Sequence, residues 1–581
     1  MINIERPHIE IKPRIYLPSD FDFKTWDDLQ PFYEELKTRK IKNGSDLRKW
    51  LIDRNEIEVF LSEEGAWRYI HYTRNTEDET IRSRYQFFIN EIKPKVAPYS
   101  NDLDKKFIDS PFLTELTEEA YHIYIRAVKN ELELYREENI ALYVKSEEKS
   151  QEYADLMSQM TIDYQGHEYT LSQAARFMKD PDRNVRREIF EKTKARKMHD
   201  AAKLDNIFTE LVKIRHQIAL NAGFSNYRDY KFKALGRFDY TIEDVYKFHQ
   251  SIKDEIVPLV DELTEKRKEE LNVDTLQPYD LDVDTSGKPA LQPYKDSDDL
   301  VKKTIECLSK LHPVLGEYIL IMNEKGYLDL DSRKGKAPGG YNYPLDEVGI
   351  PFIFMNSSGK FRDLITMLHE SGHAVHSFLT RNLYINAFKH SPSEVAELAS
   401  MSMELLSMDY WNVFFKNEDD LVRAKEEQLS GIIEILPWIA TIDKFQNWAY
   451  SHPEHTIDER DAAWIEIFEE FYPPLVNWDG NEDYKAKRWQ GQLHIFETPF
   501  YYIEYGIAQL GALAVWKNYE ENASKGLEQY LNALKLGYTV TVPEIYKAAG
   551  IAFDFSRDYI HELSQFVRAE LESLNKEKIT K

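Results

Sequence analysis

The chain has 581 residues, 42% of them hydrophobic and 30% charged, with a net charge of −26. That is ample for a large core and too long for one simple domain. The acid excess argues against nucleic acid and anionic membranes as partners. With Cys307 as its one cysteine the chain can form no internal disulfide, consistent with a reducing cytoplasm.

Met1–His8 shows no apolar signal core. No run approaches the roughly 18 apolar residues of a membrane span. No internal repeat or low-complexity segment is present. From Phe23 onward long segments carry the helical period, among them Asp46–Glu64, Asp78–Ile92 and Leu113–Asn139. Ile162–Thr170 reads as a small hairpin turning at Gln165-Gly166. Helices resume at Ser172, and Arg183, Arg186 and Arg187 among acids predict a solvated face. Leu276–Pro289 is a polar loop. Its acids lack the closing glutamate of an EF-hand, so calcium is not expected.

Gly335–Tyr341 is basic and glycine-rich, but no Lys-Ser/Thr follows its last glycine, so it is not a phosphate loop. A flexible loop over a cleft is expected. Gly349–Asn356 reads as a strand, and Pro351 predicts an edge position. Such an edge can pair with the backbone of an extended peptide.

His369-Glu370-Ser371-Gly372-His373 is an H-E-x-x-H motif inside a largely apolar helix. Residues four apart share a helix face, so His369 and His373 can hold one metal ion. Zinc suits imidazole ligands and leaves a position open for water; cobalt or manganese can occupy the same ligands. Glu370 is placed to act as general base in peptide hydrolysis. Gly372 costs helix stability and is best explained by a close approach. The metzincin extension is absent, because His376 and Leu379 stand where Gly and His are needed.

A third ligand is therefore sought on the next helix, Ser391–Glu404. There Ser391 reads as N-cap, Pro392 as the first helical residue and Glu394 as the capping-box acid. Glu397, one turn deeper among apolar residues, is the expected ligand. Glu404 lies on the same face, either as a partner for a ligand histidine or as a solvated acid. His376 lies about 10.5 Å along the axis from His369. It is not a ligand, and either a supporting or substrate contact or a plain core role is open to it.

The tract Leu421–Tyr472, with Trp438, Trp448 and Trp464, is core by default. Gln492–Gly506 offers His494 and three tyrosines. Tyr502 and Tyr505, or Tyr501 and Tyr505, share a helix face. A histidine and a tyrosine hydroxyl are suitable donors to the oxyanion of a tetrahedral intermediate.

Several of these pieces together resemble the thimet oligopeptidase and oligoendopeptidase F family of zinc peptidases, nearest its bacterial oligoendopeptidase F and Pz-peptidase branch. They are Gly335–Tyr341, Pro351–Asn356, His369–His376, and Glu397-Leu398-Ala399-Ser400 with Glu404. The resemblance is clear over roughly Tyr169 to Ile560. It implies a mainly α, two-lobed, neurolysin-like zincin fold, with a small β-sheet beside the active-site helix and a deep substrate channel. It implies an amino-terminal helical region over 1–195 and a catalytic region over 196–581, with the seam near Lys192–Lys203. It also implies one Zn2+ per chain on His369, His373 and Glu397. Glu370, His494 and Tyr505 then do the chemistry, Tyr502 with them, while Tyr501 competes with Tyr502 for the second hydroxyl.

Gly339, Gly340, Tyr341, Phe352, Phe354, Tyr501 and His376 are the candidate substrate contacts. The expected activity is cytoplasmic endopeptidase action on short unstructured peptides, with oligomeric state open. The rivals are a zinc exopeptidase, with Arg362 or Arg381 holding a substrate terminus, and a non-catalytic helical peptide binder with a structural metal.

Overall fold

A computed structural model describes residues 9, 11 and 13–579. The chain divides into two compact units that interleave along the sequence. The first takes the described residues of Met1–Glu133 with Leu291–Lys425 and Ala508–Phe553. The second takes Leu134–Ala290 and Glu426–Ile507 with the described residues of Asp554–Lys581. Both are mainly helical. Among the described residues no helix is long and apolar enough to cross a membrane.

The helices begin where side chains can meet orphan N–H groups. Gly44–Arg74 starts at Asn43, which accepts from the Asp46 N–H. It buries Leu47, Trp50, Leu51, Ile57 and Phe60, and Trp50 Nε1 donates to the Leu36 carbonyl at 2.8 Å. The long segment expected over Leu113–Asn139 is interrupted: the helix runs Glu119–Leu134 and the next starts at Asn139. Arg136, between them, donates to the Asn221 carbonyl at 3.0 Å, a contact that a continuous helix would redirect.

The first unit holds a three-stranded sheet, β3 (Leu328–Asp331), β4 (Tyr341–Tyr343) and β5 (Phe352–Ser357), in the order β3-β5-β4. β5 runs parallel to β3 and antiparallel to β4, with Phe354 opposite Tyr341 and Ile353 opposite Asn342. The expected edge strand is therefore central. Pro351 lies one residue before β5, so its missing N–H costs the ladder nothing, and the edges fall to β3 and β4. Phe352 and Phe354 pack with Ala66, Ile70 and Leu345 at 1% and 0% exposure, so their side chains offer no surface to a peptide.

The glycine-rich loop is tied down rather than loose. Lys336 Nζ donates to Asp329 Oδ1 and to the Asp331 carbonyl, both at 2.8 Å. Arg74 and Arg333 bind the same carboxylate. Asn356 Nδ2 donates to the carbonyls of Ala337 and Gly339. Burial opposes the charge of Asp329, but the three cations outweigh it and hold the carboxyl well below its usual range.

Two helices of this unit carry the motif residues, Phe361–Thr380 and Ser393–Leu406. Asp363 caps the first, accepting from the N–H groups of Ser358 and Lys360 at 2.7 and 2.9 Å. The second starts later than expected. Pro392 is its N-cap with extended φ/ψ of −54° and 156°, and no side-chain cap bond forms at this end.

In the second unit the hairpin forms as expected: β1 (Thr161–Tyr164) and β2 (His167–Thr170) pair across Gln165 and Gly166, both with positive φ. The seam expected at Lys192–Lys203 falls inside one helix, Arg183–Asn221. Of the arginines expected on a solvated face, Arg187 is exposed, whereas Arg186 is buried. Arg186 is 2% exposed and, with Arg183, grips the fully buried Asp280 of the polar loop at 2.8 and 2.7 Å. Two cations around one buried carboxylate compensate its desolvation.

Candidate active site

The H-E-x-x-H helix and the glutamate helix press together at Gly372. A Cβ there would lie 2.6 Å from both the Ala399 carbonyl oxygen and Ser400 Cα. The close approach inferred for this glycine is thus the one that brings Glu397 to the histidines. Tyr530 reinforces it from behind, its hydroxyl donating to the Ala399 carbonyl at 2.6 Å.

His369, His373 and Glu397 form a ligand group whose donor atoms all lie within 4.8 Å of one another. Glu397 Oε2 is 3.2 Å from His369 Nε2 and 3.6 Å from His373 Nε2. Ligand atoms of a tetrahedral zinc stand about 3.3 Å apart, so this donor set fits the ion. Ser400, one turn on, donates from Oγ to Glu397 Oε2 at 3.0 Å, which gives the Glu-x-x-Ser pattern a physical reason. Glu404 takes the supporting role: its Oε1 lies 2.7 Å from His369 Nδ1, leaving Nε2 for a metal.

Electrostatics agree with that division. Burial opposes ionisation of Glu397, but the His369 hydrogen bond and both imidazoles outweigh it and hold the carboxyl at about 2. Burial also opposes charge on His369, yet Glu397 and Glu404 prevail and keep its pKa well above the usual value. Burial takes His373 down to about 4. Glu370 is buried and pushed up to about 7, chiefly by desolvation. A cation on the three ligands would draw that value down.

Asn342 of β4 donates to the Glu370 carbonyl at 3.2 Å, so the edge strand is pinned to this helix. Tyr341 stacks on Phe354 at 4.7 Å and bonds Thr73 through its hydroxyl. Gly339 has a φ of +96°, open to glycine, where the loop enters β4. His376 is a buried, neutral imidazole, held down to about 3 by burial, and its Nε2 has no hydrogen-bond partner among the described residues. Arg362 is exposed at the start of the helix, and Arg381 is half-buried just past its end.

The second unit gathers the other candidates. His494 lies on the short helix Leu493–Glu497, and Tyr502 opens the helix Tyr502–Glu521. The His494 ring centroid is 4.8, 5.9 and 6.3 Å from those of Tyr502, Tyr505 and Tyr501. All three tyrosines therefore surround the histidine, with Tyr502 nearest.

Residues that the sequence did not mark build this cluster. Phe500 has a left-handed φ of 67°, which turns the chain into the tyrosine helix. Buried Gln446 accepts from its N–H at 2.9 Å, and buried Arg237 donates to its carbonyl and to Glu504. Arg215 donates to the Ile495 and Phe496 carbonyls below His494. These partners lie far away in sequence, so no local pattern marks them.

Residues 176–565 match peptidase family M3, and residues 19–135 match the peptidase M3 N-terminal domain. An oligoendopeptidase F homolog of Borreliella burgdorferi is 25% identical over 387 residues, covering 64% of this chain and 62% of the relative. The plasmid oligoendopeptidase F of Lactococcus lactis subsp. cremoris is 24% identical over 61% of this chain and 58% of its own length. The chain thus spans less than two thirds of these two curated relatives in the matched regions. A solved structure of Pz peptidase A with an inhibitor superposes with a TM-score of 0.88 at 29% identity, covering 96% of this chain and 99% of that one. The oligoendopeptidase F of Enterococcus faecium, at 16% identity and a TM-score of 0.64, covers 96% of this chain and 98% of its own and shares the fold. With its mainly helical architecture, small sheet and His369–His373–Glu397 group, and with more than half its length matched, the chain belongs to peptidase family M3.

Proposed function

We propose that the chain is a zinc endopeptidase that cuts internal bonds of short, unstructured peptides in the cytoplasm. The observation that carries this is the convergence of His369, His373 and Glu397 beside the buried carboxyl of Glu370. One zinc ion per chain, held by those three ligands, would supply Lewis acidity to a water molecule and to a substrate carbonyl.

The chain's own residues do the rest. Glu370 takes the proton of the attacking water and delivers it to the leaving amine. Glu404 holds the His369 ring in its ligand orientation. His494, Tyr505 and one of Tyr501 and Tyr502 donate to the carbonyl oxygen as it gains charge. An extended peptide pairs with the outer edge of β4, where Gly339, Gly340 and Tyr341 lead the backbone past the helix. The division into 1–195 and 196–581 is proposed as one of descent, separate from the compact units.

The test is cleavage of an internally quenched peptide by the wild type and by Glu370→Gln, with zinc content measured in both. Internal cleavage that falls at least about 10²-fold in the variant, with zinc retained, supports the reading. Equal background rates with zinc bound would leave a metal-stapled binding protein. Release of terminal residues alone would make it an exopeptidase.

A further inference from the structure

We propose that Trp438 and Gln492 set the tautomer of His494, placing its proton on Nε2. A carboxamide has two ends of similar shape and opposite polarity, so its orientation comes from its partners. Trp438 Nε1 carries a hydrogen and has no lone pair free to accept, and it lies 3.0 Å from Gln492 Oε1. The carbonyl end of the amide is therefore the end that faces the indole. The opposite end, Nε2, has only hydrogens to offer, and it lies 2.8 Å from His494 Nδ1. A neutral imidazole accepts at Nδ1 only when Nε2 holds the proton.

Both anchors are themselves held. Trp438 sits in the helix Glu418–Ser451, edge-on to the buried Trp464 at 5.9 Å, with Arg488 over its ring. Gln492 is the N-cap of the helix that carries His494, and its backbone N–H donates to the Trp489 carbonyl at 3.0 Å. The relay indole to amide to imidazole thus runs from the helix Glu418–Ser451 to the ring it orients.

The consequence rests on the proposed role of His494 as an oxyanion donor. With the proton on Nε2, that nitrogen can donate to a carbonyl oxygen. With the proton on Nδ1, a lone pair would face the developing charge instead. Gln492 and Trp438 are then positioning residues, acting through His494 without touching substrate.

The experiment uses the full chain labelled with 15N-histidine, with the His494 signals identified by their loss in His494→Gln. The wild type should show an unprotonated Nδ1 and a protonated Nε2. Gln492→Glu presents acceptors to both neighbours and should move the proton to Nδ1, with kcat falling about 10²-fold and KM nearly unchanged. Gln492→Met and Trp438→Phe, which remove one link each, should give mixed tautomers and intermediate rates. A wild-type ring protonated at Nδ1, or an unchanged tautomer in Gln492→Glu and in Gln492→Met, would overturn the proposal. Tautomers that shift as described while kcat stays constant in every variant would instead remove His494 from the reaction and leave the tautomer assignment standing.

Discussion

Gly372 and Ser400 meet backbone to backbone, and that contact sets the distance between the histidines and their glutamate. A Cβ on Gly372 would sit 2.6 Å from Ser400 Cα, well inside any tolerated separation. Gly372→Ala should therefore force the two helices apart. Alanine gains about 1 kcal/mol of helix propensity, but overpacking costs about 1–3 kcal/mol. The expected outcome is a lower Tm and zinc affinity reduced at least about tenfold, the scale of a lost supporting contact. Chelator competition measures the second.

Glu404 orients His369 through Nδ1. Glu404→Gln keeps the shape but removes the charge. Zinc affinity should fall by about 10–100-fold, with the fold intact by circular dichroism.

Asp329 supplies a pH-dependent tie between β3 and the glycine-rich loop. Its folded pKa lies below the unfolded value, so the unfolded chain binds more protons as acid is added. Its stabilisation is present above the ordinary carboxylate range near 4 and is lost as pH falls through the depressed folded value. Asp329→Asn leaves the fully buried side chain of Lys336 without its counter-charge. It should cost on the order of 3–5 kcal/mol at neutral pH. It should also flatten the acid limb of stability against pH, as read by urea melts between pH 7 and the acid range.

Tyr505 lies within the His494 cluster, and its hydroxyl is the group that the proposed chemistry uses. Tyr505→Phe should lower kcat by about 10²–10³-fold with KM little changed. The same substitution at Tyr501 and Tyr502 separates them. Tyr502, whose ring is nearer His494, is expected to show the larger loss.

Arg237 holds the left-handed Phe500 by its carbonyl. Arg237→Met should destabilise the second unit by about 3–5 kcal/mol, because it leaves buried Glu504 without this cation. It should also lower kcat, because the tyrosine helix starts from that turn.

The parts of this protein that the sequence determined by itself are those whose partners are close along the chain. His369 and His373 share a face because a helix repeats every 3.6 residues. The turn at Gln165-Gly166 closes on its own hairpin. Glu397 stood out as an acid among apolar residues one turn inside a helix.

Tertiary structure decided the rest, because each case turns on a partner far away in sequence. Whether β5 is an edge or the centre depends on β3 and β4, one on each side. Whether Arg186 and Lys336 are solvated depends on Asp280 and Asp329 waiting to receive them. The left-handed turn at Phe500 persists because Arg237, 263 residues away, and Gln446 hold both its polar groups. A local pattern encodes which way a side chain faces along its own element, and only packing decides what meets it there.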